Sequence, residues 1–191
     1  MTLSQSYFAE VYEATDDPWG FRTRWYESRK RALTLAALPR QRYRRGFEPG
    51  CSNGMLSAQL AERCDTLLSS DVNPRAVAAA RQRLAPFDRV QVKQQRMPDD
   101  WPAGSFDLIV LSEIAYYFDR DALRSMVATA RQSLDIDGSL LLCHWRHPVP
   151  DYPLTGDEVH AIFAQEVGLP RTAHHMEEDF VLDVWCADAR S

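Results

Sequence analysis

The sequence predicts an α/β fold in which a mostly parallel, seven-stranded sheet carries helices on both faces and ends in a C-terminal antiparallel hairpin. Three observations point there. Apolar runs alternate with segments of helical periodicity from Arg45 to about Gly168, and such alternation builds parallel strands joined by crossover helices. The run Phe106-Asp107-Leu108-Ile109-Val110-Leu111 is nearly continuous in apolar residues, as a strand covered on both sides must be. Residues 172–177 and 180–187 are both β-like with only Glu178-Asp179 between them, which is hairpin spacing.

The first helix is expected over Ser4 to Ala14, where Tyr7, Phe8, Val11 and Tyr12 recur three and four apart. Asp16-Asp17-Pro18-Trp19-Gly20-Phe21-Arg22 breaks it, and two large aromatics there demand cover, so the loop suits a lid. Trp25, Ala32, Leu33 and Ala36 resume helical spacing, giving a second helix to about Leu38, where Pro39 stops it. Arg45 to Glu48 reads as the first strand, Met55 to Leu60 as its helix, and Thr66 to Asp71 as the second strand. Asn73 is a favoured N-cap with Pro74 at the first helical position, so a helix follows through Leu84. Val90 to Lys93 and Ser105 to Glu113 are the third and fourth strands. Leu123, Met126, Val127, Ala130 and Leu134 mark a core-facing helix, Asp137-Gly138 a turn, and Ser139 to His144 a fifth strand. Thr155-Gly156-Asp157-Glu158 matches a capping box that opens a helix through Ala164, ending at Gly168.

A chain of 191 residues is expected to form a single domain over 1–191, with an N-terminal helical lid region at 1–40 and the sheet-bearing core at 41–191. The 45% hydrophobic and 26% charged content is that of a soluble globular protein, and no apolar run reaches membrane-spanning length. Met1-Thr2-Leu3-Ser4-Gln5-Ser6-Tyr7 has neither a basic start nor an apolar core, so no secretory signal is expected and the cytoplasm is the expected compartment. Cys51, Cys64, Cys143 and Cys186 form no C-x-x-C pair, which argues against structural zinc and a disulfide framework. No metal is expected elsewhere, because Asp, Glu and His do not recur at helical ligand spacing. A formal net charge of −5 argues against nucleic acid as a partner. The cluster Arg40, Arg42, Arg44, Arg45 reads as a solvated linker before the first strand. Nothing in the pattern speaks to self-association.

Ligands of open α/β sheets lie beyond the carboxyl ends of the strands. That selects Glu48 to Gly54, Asp71-Val72, Gln94 to Met97, Ser112 to Tyr117 and Cys143 to His147. In the first of these an acidic strand end, a glycine turn and a helix start follow one another, bringing backbone N–H groups and a positive helix end to one crevice. The spacing is acidic-x-Gly-x-x-x-Gly with Ser52 in the middle, which is not the dinucleotide pattern. Asp71 ends the second strand at the separation expected of a group that holds a ribose diol. A cofactor site is the reading these residues support. Glu113 beside Tyr116 and Tyr117 suits an amine or a sugar face, and His144-Trp145-Arg146-His147 is the densest polar cluster at a strand end. His174 and His175, in the hairpin, read as structural.

The paired acidic strand ends resemble the S-adenosylmethionine-dependent methyltransferases of the Rossmann-like class I fold, whose last strand also runs antiparallel. Taken together, Asp17-Pro18-Trp19-Gly20-Phe21-Arg22, Trp25-Tyr26-Glu27, Phe47-Glu48-Pro49-Gly50-Cys51-Ser52-Asn53-Gly54, Phe106 to Glu113 with Tyr116-Tyr117, and His144-Trp145-Arg146 are similar to the nodulation protein S family over nearly the whole chain. That resemblance implies S-adenosyl-L-methionine as cofactor, S-adenosyl-L-homocysteine as product, and N-methylation of an amino sugar or chitooligosaccharide-type amine. It further implies cofactor contacts from Glu48, Gly50, Cys51, Gly54, Asp71, Val72, Gln95, Arg96 and Ser112. Gln95 and Arg96 stand near where related enzymes carry an aspartate for the adenine amino group. Substrate contacts are expected from Trp19, Tyr116, Tyr117, Trp145 and Arg146. An amine acceptor must arrive neutral, so His144 or Glu113 is expected to handle its proton. The alternatives are an O-methyltransferase of a natural product and a non-catalytic nucleoside-binding module.

Overall fold

The computed structural model describes residues 1–15 and 17–187; Asp16, the first residue of the expected break, lies outside them. Two helices, α1 (Gln5–Ala14) and α2 (Trp25–Ala37), precede the sheet. There follow β1 (Tyr43–Pro49), α3 (Met55–Ala61), β2 (Cys64–Asp71), α4 (Pro74–Leu84), β3 (Val90–Gln94) and β4 (Phe106–Ser112). A 3₁₀ turn at Ala115–Tyr117 leads to α5 (Arg120–Ser133), β5 (Leu134–Trp145), α6 (Gly156–Glu166), β6 (Arg171–Met176) and β7 (Phe180–Cys186).

The strands form one sheet in the order β3-β2-β1-β4-β5-β7-β6, with β1 to β5 parallel and β7 antiparallel to both neighbours. The order reverses between β1 and β4, and a crevice opens at the carboxyl ends of strands at such a switch point. Alternation along the central strands fills both faces. Ile109, Leu111, Leu140 and Leu142 pack with α5 and α6, whereas Leu108, Val110, Leu141 and Cys143 lie in the layer that α2 and α3 cover. Each such side chain contributes roughly 1.5–3 kcal/mol on burial. Asn73 caps α4 through Arg75 and Ala76 N–H groups, and Thr155 with Glu158 closes the capping box of α6.

Three sequence expectations change. Leu134 is not the last apolar position of α5 but the first residue of β5, pairing with Phe106. Asp137-Gly138 consequently sits inside a strand, where the β4–β5 register shifts between Phe106 and Leu108, so it serves a bulge and not a turn. Nor are the four arginines a solvated linker. Arg44 and Arg45 belong to β1, their backbone N–H groups donate to the buried Asp107 carboxylate at 2.8 and 2.7 Å, and Arg40 and Arg42 pair with Asp137 and Asp65.

Helix α2 forms as its spacing predicts, but its apolar positions are not its buried face. Trp25 is 76% exposed, Ala32 and Ala36 are exposed, and the buried face is Glu27, Lys30, Arg31 and Thr34. Those four recur at helical spacing, but the stripe they form is polar. No described helix is long and apolar enough to cross a membrane.

Candidate active site

The inward polar stripe of α2 forms part of the wall of a cavity of about 650 Å³ at the carboxyl ends of the strands. Glu48, Gly50, Cys51, Asp71, Val72, Gln95, Arg96 and Ser112 line it, as do Trp19, Glu113, Tyr116, Tyr117 and Trp145. The strand tips therefore bring together most of the residues singled out from sequence.

At the β1 tip the chain turns through Gly50 at φ 74°, and a Cβ there would stand 2.9 Å from Ile114 Cδ1, so only glycine fits. Ser52 follows at φ 48°; its N–H donates to Asp71 Oδ2 at 2.9 Å, and its hydroxyl lies 2.7 Å from Tyr12 Oη. Asp71 Oδ1 accepts from Asn73 N–H at 2.9 Å. Two backbone donors thus fix the Asp71 carboxylate in the wall. Burial raises its pKa, against the lowering effect of those hydrogen bonds. Glu48, fully buried, accepts from the Ser57 and Ser69 hydroxyls through one oxygen, Oε2, and burial pushes its pKa up to about 7. Gly54 does not line the cavity. Its φ of 76° and the 3.2 Å approach an added Cβ would make to Ala80 Cα give it a packing role between α3 and α4. Gln95 donates through Nε2 to Asp100 O at 2.9 Å, while its Oε1 is buried without a partner among the described residues. Arg96 Nη2 donates to Gln5 Oε1 at 3.0 Å.

At the β4 tip Glu113 adopts φ 55°. A non-glycine residue held there costs of order 1–3 kcal/mol and persists only where its surroundings over-determine it. Here three donors do so. Lys30 Nζ reaches Oε1 at 2.6 Å, while the Tyr116 hydroxyl and Trp145 N–H, the latter at 3.0 Å, donate to Oε2. Lys30 also donates to Glu27 Oε1 at 3.1 Å and lies 5.0 Å from the Tyr26 ring centre. Burial works to lower the Lys30 pKa, but Glu113 and Glu27 outweigh it and hold the ammonium above its ordinary range. Burial raises the Glu27 pKa, with Lys30 opposing. Sequence reasoning missed Glu27, Lys30 and Arg31. Their signal was the polar face of α2, visible once polar and not only apolar residues are tested for helical period.

Aromatics complete the wall. Tyr116 stacks on Tyr152 at 5.0 Å between ring centres, and Tyr26 meets Trp145 edge-on at 5.5 Å. Trp19 packs on Tyr12 at 5.6 Å, carried on a loop whose Asp17 carboxylate accepts from Phe21 N–H and Asn53 Nδ2 at 2.9 and 3.0 Å.

Besides Gly54, two expected contacts are not brought to the cavity. His144 is fully buried behind the wall, where its Nε2 accepts from Ala115 N–H at 3.1 Å and its Nδ1 meets His160 Nε2 at 3.0 Å. His160 in turn meets Asp183 Oδ2 at 2.6 Å. With both ring nitrogens engaged, His144 has no atom for a substrate proton; it holds the 3₁₀ turn that carries Tyr116. Arg146 forks onto Asp157 at 2.8 and 3.0 Å and donates to Glu177 O, tying α6 to the hairpin.

Burial, then the neighbouring His160, holds the His144 pKa well below 6.5. Below about pH 6.5 the unfolded chain therefore binds a proton at this site that the folded chain does not, and stability is lost as pH falls. His144→Gln keeps an acceptor for Ala115 and removes the titration. In urea unfolding, the wild type is expected to lose more stability than this variant between about pH 7 and pH 5; equal losses would contradict the assignment.

An α/β sheet of this order, with acidic residues at the first two strand tips and a glycine turn between them, defines the class I methyltransferase fold. The family model for nodulation protein S (NodS) matches residues 8–153, and the chain belongs to that family. Nodulation protein S of Sinorhizobium fredii (strain NBRC 101917 / NGR234) is 31% identical over 116 residues, 60% of this chain and 54% of the relative. The match thus spans about half the length of that curated relative. Among solved structures, a Pseudomonas syringae chain whose methyltransferase assignment is provisional is 54% identical, covers 85% of this chain and 99% of its own, and superposes with a TM-score of 0.77. The N-methyltransferase NodS from Bradyrhizobium japonicum WM9, in complex with S-adenosyl-L-homocysteine, is 24% identical over 95% of this chain and 97% of its own, with a TM-score of 0.81.

Proposed function

We propose that the protein is an S-adenosylmethionine-dependent N-methyltransferase of a small-molecule amine, with an amino-sugar or oligosaccharide-type amine as the first acceptor to test. One observation carries the reading: two carboxylates, the buried Glu27 and the half-buried Glu113, share Lys30 in the wall of the cavity that Glu48, Asp71 and Gln95 also line. Membership of the nodulation protein S family supports it.

The residues present fit the nucleoside. Asp71 is fixed to accept two hydroxyls, the unpartnered Gln95 Oε1 suits an exocyclic amine, and Gly50 lets backbone approach closely. When bound, the cofactor supplies a methyl group activated on a sulfonium, so in-line positioning supplies most of the catalysis. The chain's own residues do the rest. Glu113, held in place by three donors, sets a carboxylate that favours a cationic centre beside it. Glu27 has Lys30 as its one hydrogen-bond partner among the described residues, and Lys30 lies closer to Glu113. A carboxylate with raised pKa and spare capacity is the better proton acceptor, and Glu27 takes the proton that the acceptor nitrogen sheds. Tyr12, Trp19 and Phe21, from residues 1–40, act as a lid that excludes water from the transfer.

Incubation with S-adenosylmethionine and matched amines and alcohols, glucosamine oligomers among them, tests this by mass spectrometry. Amine products heavier by one methylene are expected. Methylated alcohols alone would assign O-methylation, and cofactor binding with no product would leave a nucleoside-binding module.

A further inference from the structure

His144 on β5, His160 on α6 and Asp183 on β7 stand in one buried line that ends behind the cavity wall. α6 opens on Gly156, where an added Cβ would run into Trp145 O, and this close seat brings His160, one turn on, against His144. Asp183 closes the far end. Its Oδ2 lies 2.6 Å from His160 Nδ1, while its Oδ1 accepts from Arg171 Nη1 at 3.2 Å and lies 2.8 Å from His174 Nδ1. Burial works to raise the Asp183 pKa, but His160, His174 and Arg171 outweigh it and hold the group ionised, so it only accepts.

These contacts allow one placement of protons. Ala115 N–H donates to His144 Nε2, so that nitrogen is bare and the His144 proton sits on Nδ1. His144 Nδ1–H therefore donates to His160 Nε2, and the proton on His160 Nδ1 is donated to Asp183. Every bond in the line runs the same way, from the backbone of the 3₁₀ turn to a buried negative charge. Reversed, the line would set His144 Nε2–H against Ala115 N–H, donor against donor. The turn held in this way carries Tyr116, whose ring meets His144 edge-on at 5.3 Å and whose hydroxyl donates to Glu113.

We propose that Asp183 and His160 are positioning residues for methyl transfer, fixing the proton on His144 and through it the turn that sets Tyr116 and Glu113 in the cavity wall. This rests on the reading of function above. Neither residue lines the cavity, so the effect belongs in kcat and not in cofactor affinity.

Asp183→Asn tests it, because Arg171 can only donate. The amide turns its oxygen to Arg171 and its nitrogen to His160, which reverses the line and takes the acceptor away from Ala115. Long-range proton–nitrogen spectra of histidine-labelled protein are expected to show His144 protonated on Nδ1 in the wild type and on Nε2 in the variant. The variant's kcat is expected to fall about tenfold to a hundredfold, with affinity for S-adenosylhomocysteine within about twofold. Adding Arg171→Ala frees the amide to turn back, and the double variant is expected to recover both the proton placement and the rate. His160→Gln can point its oxygen at His144 and its nitrogen at Asp183, so it is expected to keep most of the rate that His160→Leu loses. That pair carries the comparison should the asparagine variant fold poorly. A wild-type His144 protonated on Nε2, a rate loss without reversal, or a reversal without rate loss would each overturn the proposal while methyl transfer itself stands. If wild-type protein methylates no amine, the reading of function fails and the positioning role falls with it.

Discussion

Glu27→Gln is expected to lower kcat by about 10²- to 10⁴-fold, the range by which a positioned proton acceptor accelerates transfer. The variant preserves the shape of the side chain and its hydrogen bond to Lys30 but removes the charge and the basic site. Affinity for S-adenosylhomocysteine, which the proposal assigns to residues at the β1 and β2 tips, should change little. The pH profile supplies an independent check. Because burial raises the Glu27 pKa from 4.5, the acid limb of the wild-type rate should lie above the ordinary carboxylate range, with activity lost as Glu27 takes up its proton. That limb should vanish from the variant's residual rate. An unchanged kcat with an unchanged acid limb would remove Glu27 from the chemistry and leave Glu113 as the carboxylate to examine.

The largest effect on binding is expected at Asp71. Asp71→Ala removes the acceptor proposed for two ribose hydroxyls and also frees the Ser52 and Asn73 N–H groups that the carboxylate now holds. Hydrogen bonds to charged groups contribute about 1.5–3 kcal/mol each, so the dissociation constant for S-adenosylhomocysteine should rise by about 100-fold or more. Calorimetry is the measurement. Asp71→Asn, which keeps an acceptor oxygen, should fall between the two, and equal affinity in wild type and alanine variant would contradict the ribose role.

How much of this was legible in the sequence follows from what each element buries. Strands β4 and β7 bury every residue but Ser112, and their apolar runs declare them. Caps with a local chemical signature, Asn73 and the Thr155 to Glu158 box, were equally plain. The strand-tip residues Glu48, Gly50 and Asp71 could be placed because topology alone sends the ends of parallel strands to one crevice. Two things escaped. The bulge at Asp137-Gly138 depends on register with β4, a non-local fact that a turn-forming dipeptide cannot reveal. Helix α2 presents polar residues to a cavity, so apolar periodicity found the helix but said nothing of the face that matters, and Trp25, Ala32 and Ala36, on which it drew, lie outside. His144 was misread for a related reason. A histidine at a strand end resembles a catalytic group, and only the positions of His160 and Ala115 show that both its nitrogens are engaged within the protein.

A crystal structure grown with S-adenosylhomocysteine tests most directly whether donor and acceptor meet at this sheet edge. The expected density places the sugar hydroxyls on Asp71 and turns the sulfur toward the wall built by Glu27, Lys30 and Glu113. A nucleoside bound away from Asp71, or seated there with its sulfur directed away from those two carboxylates, would contradict the proposed transfer.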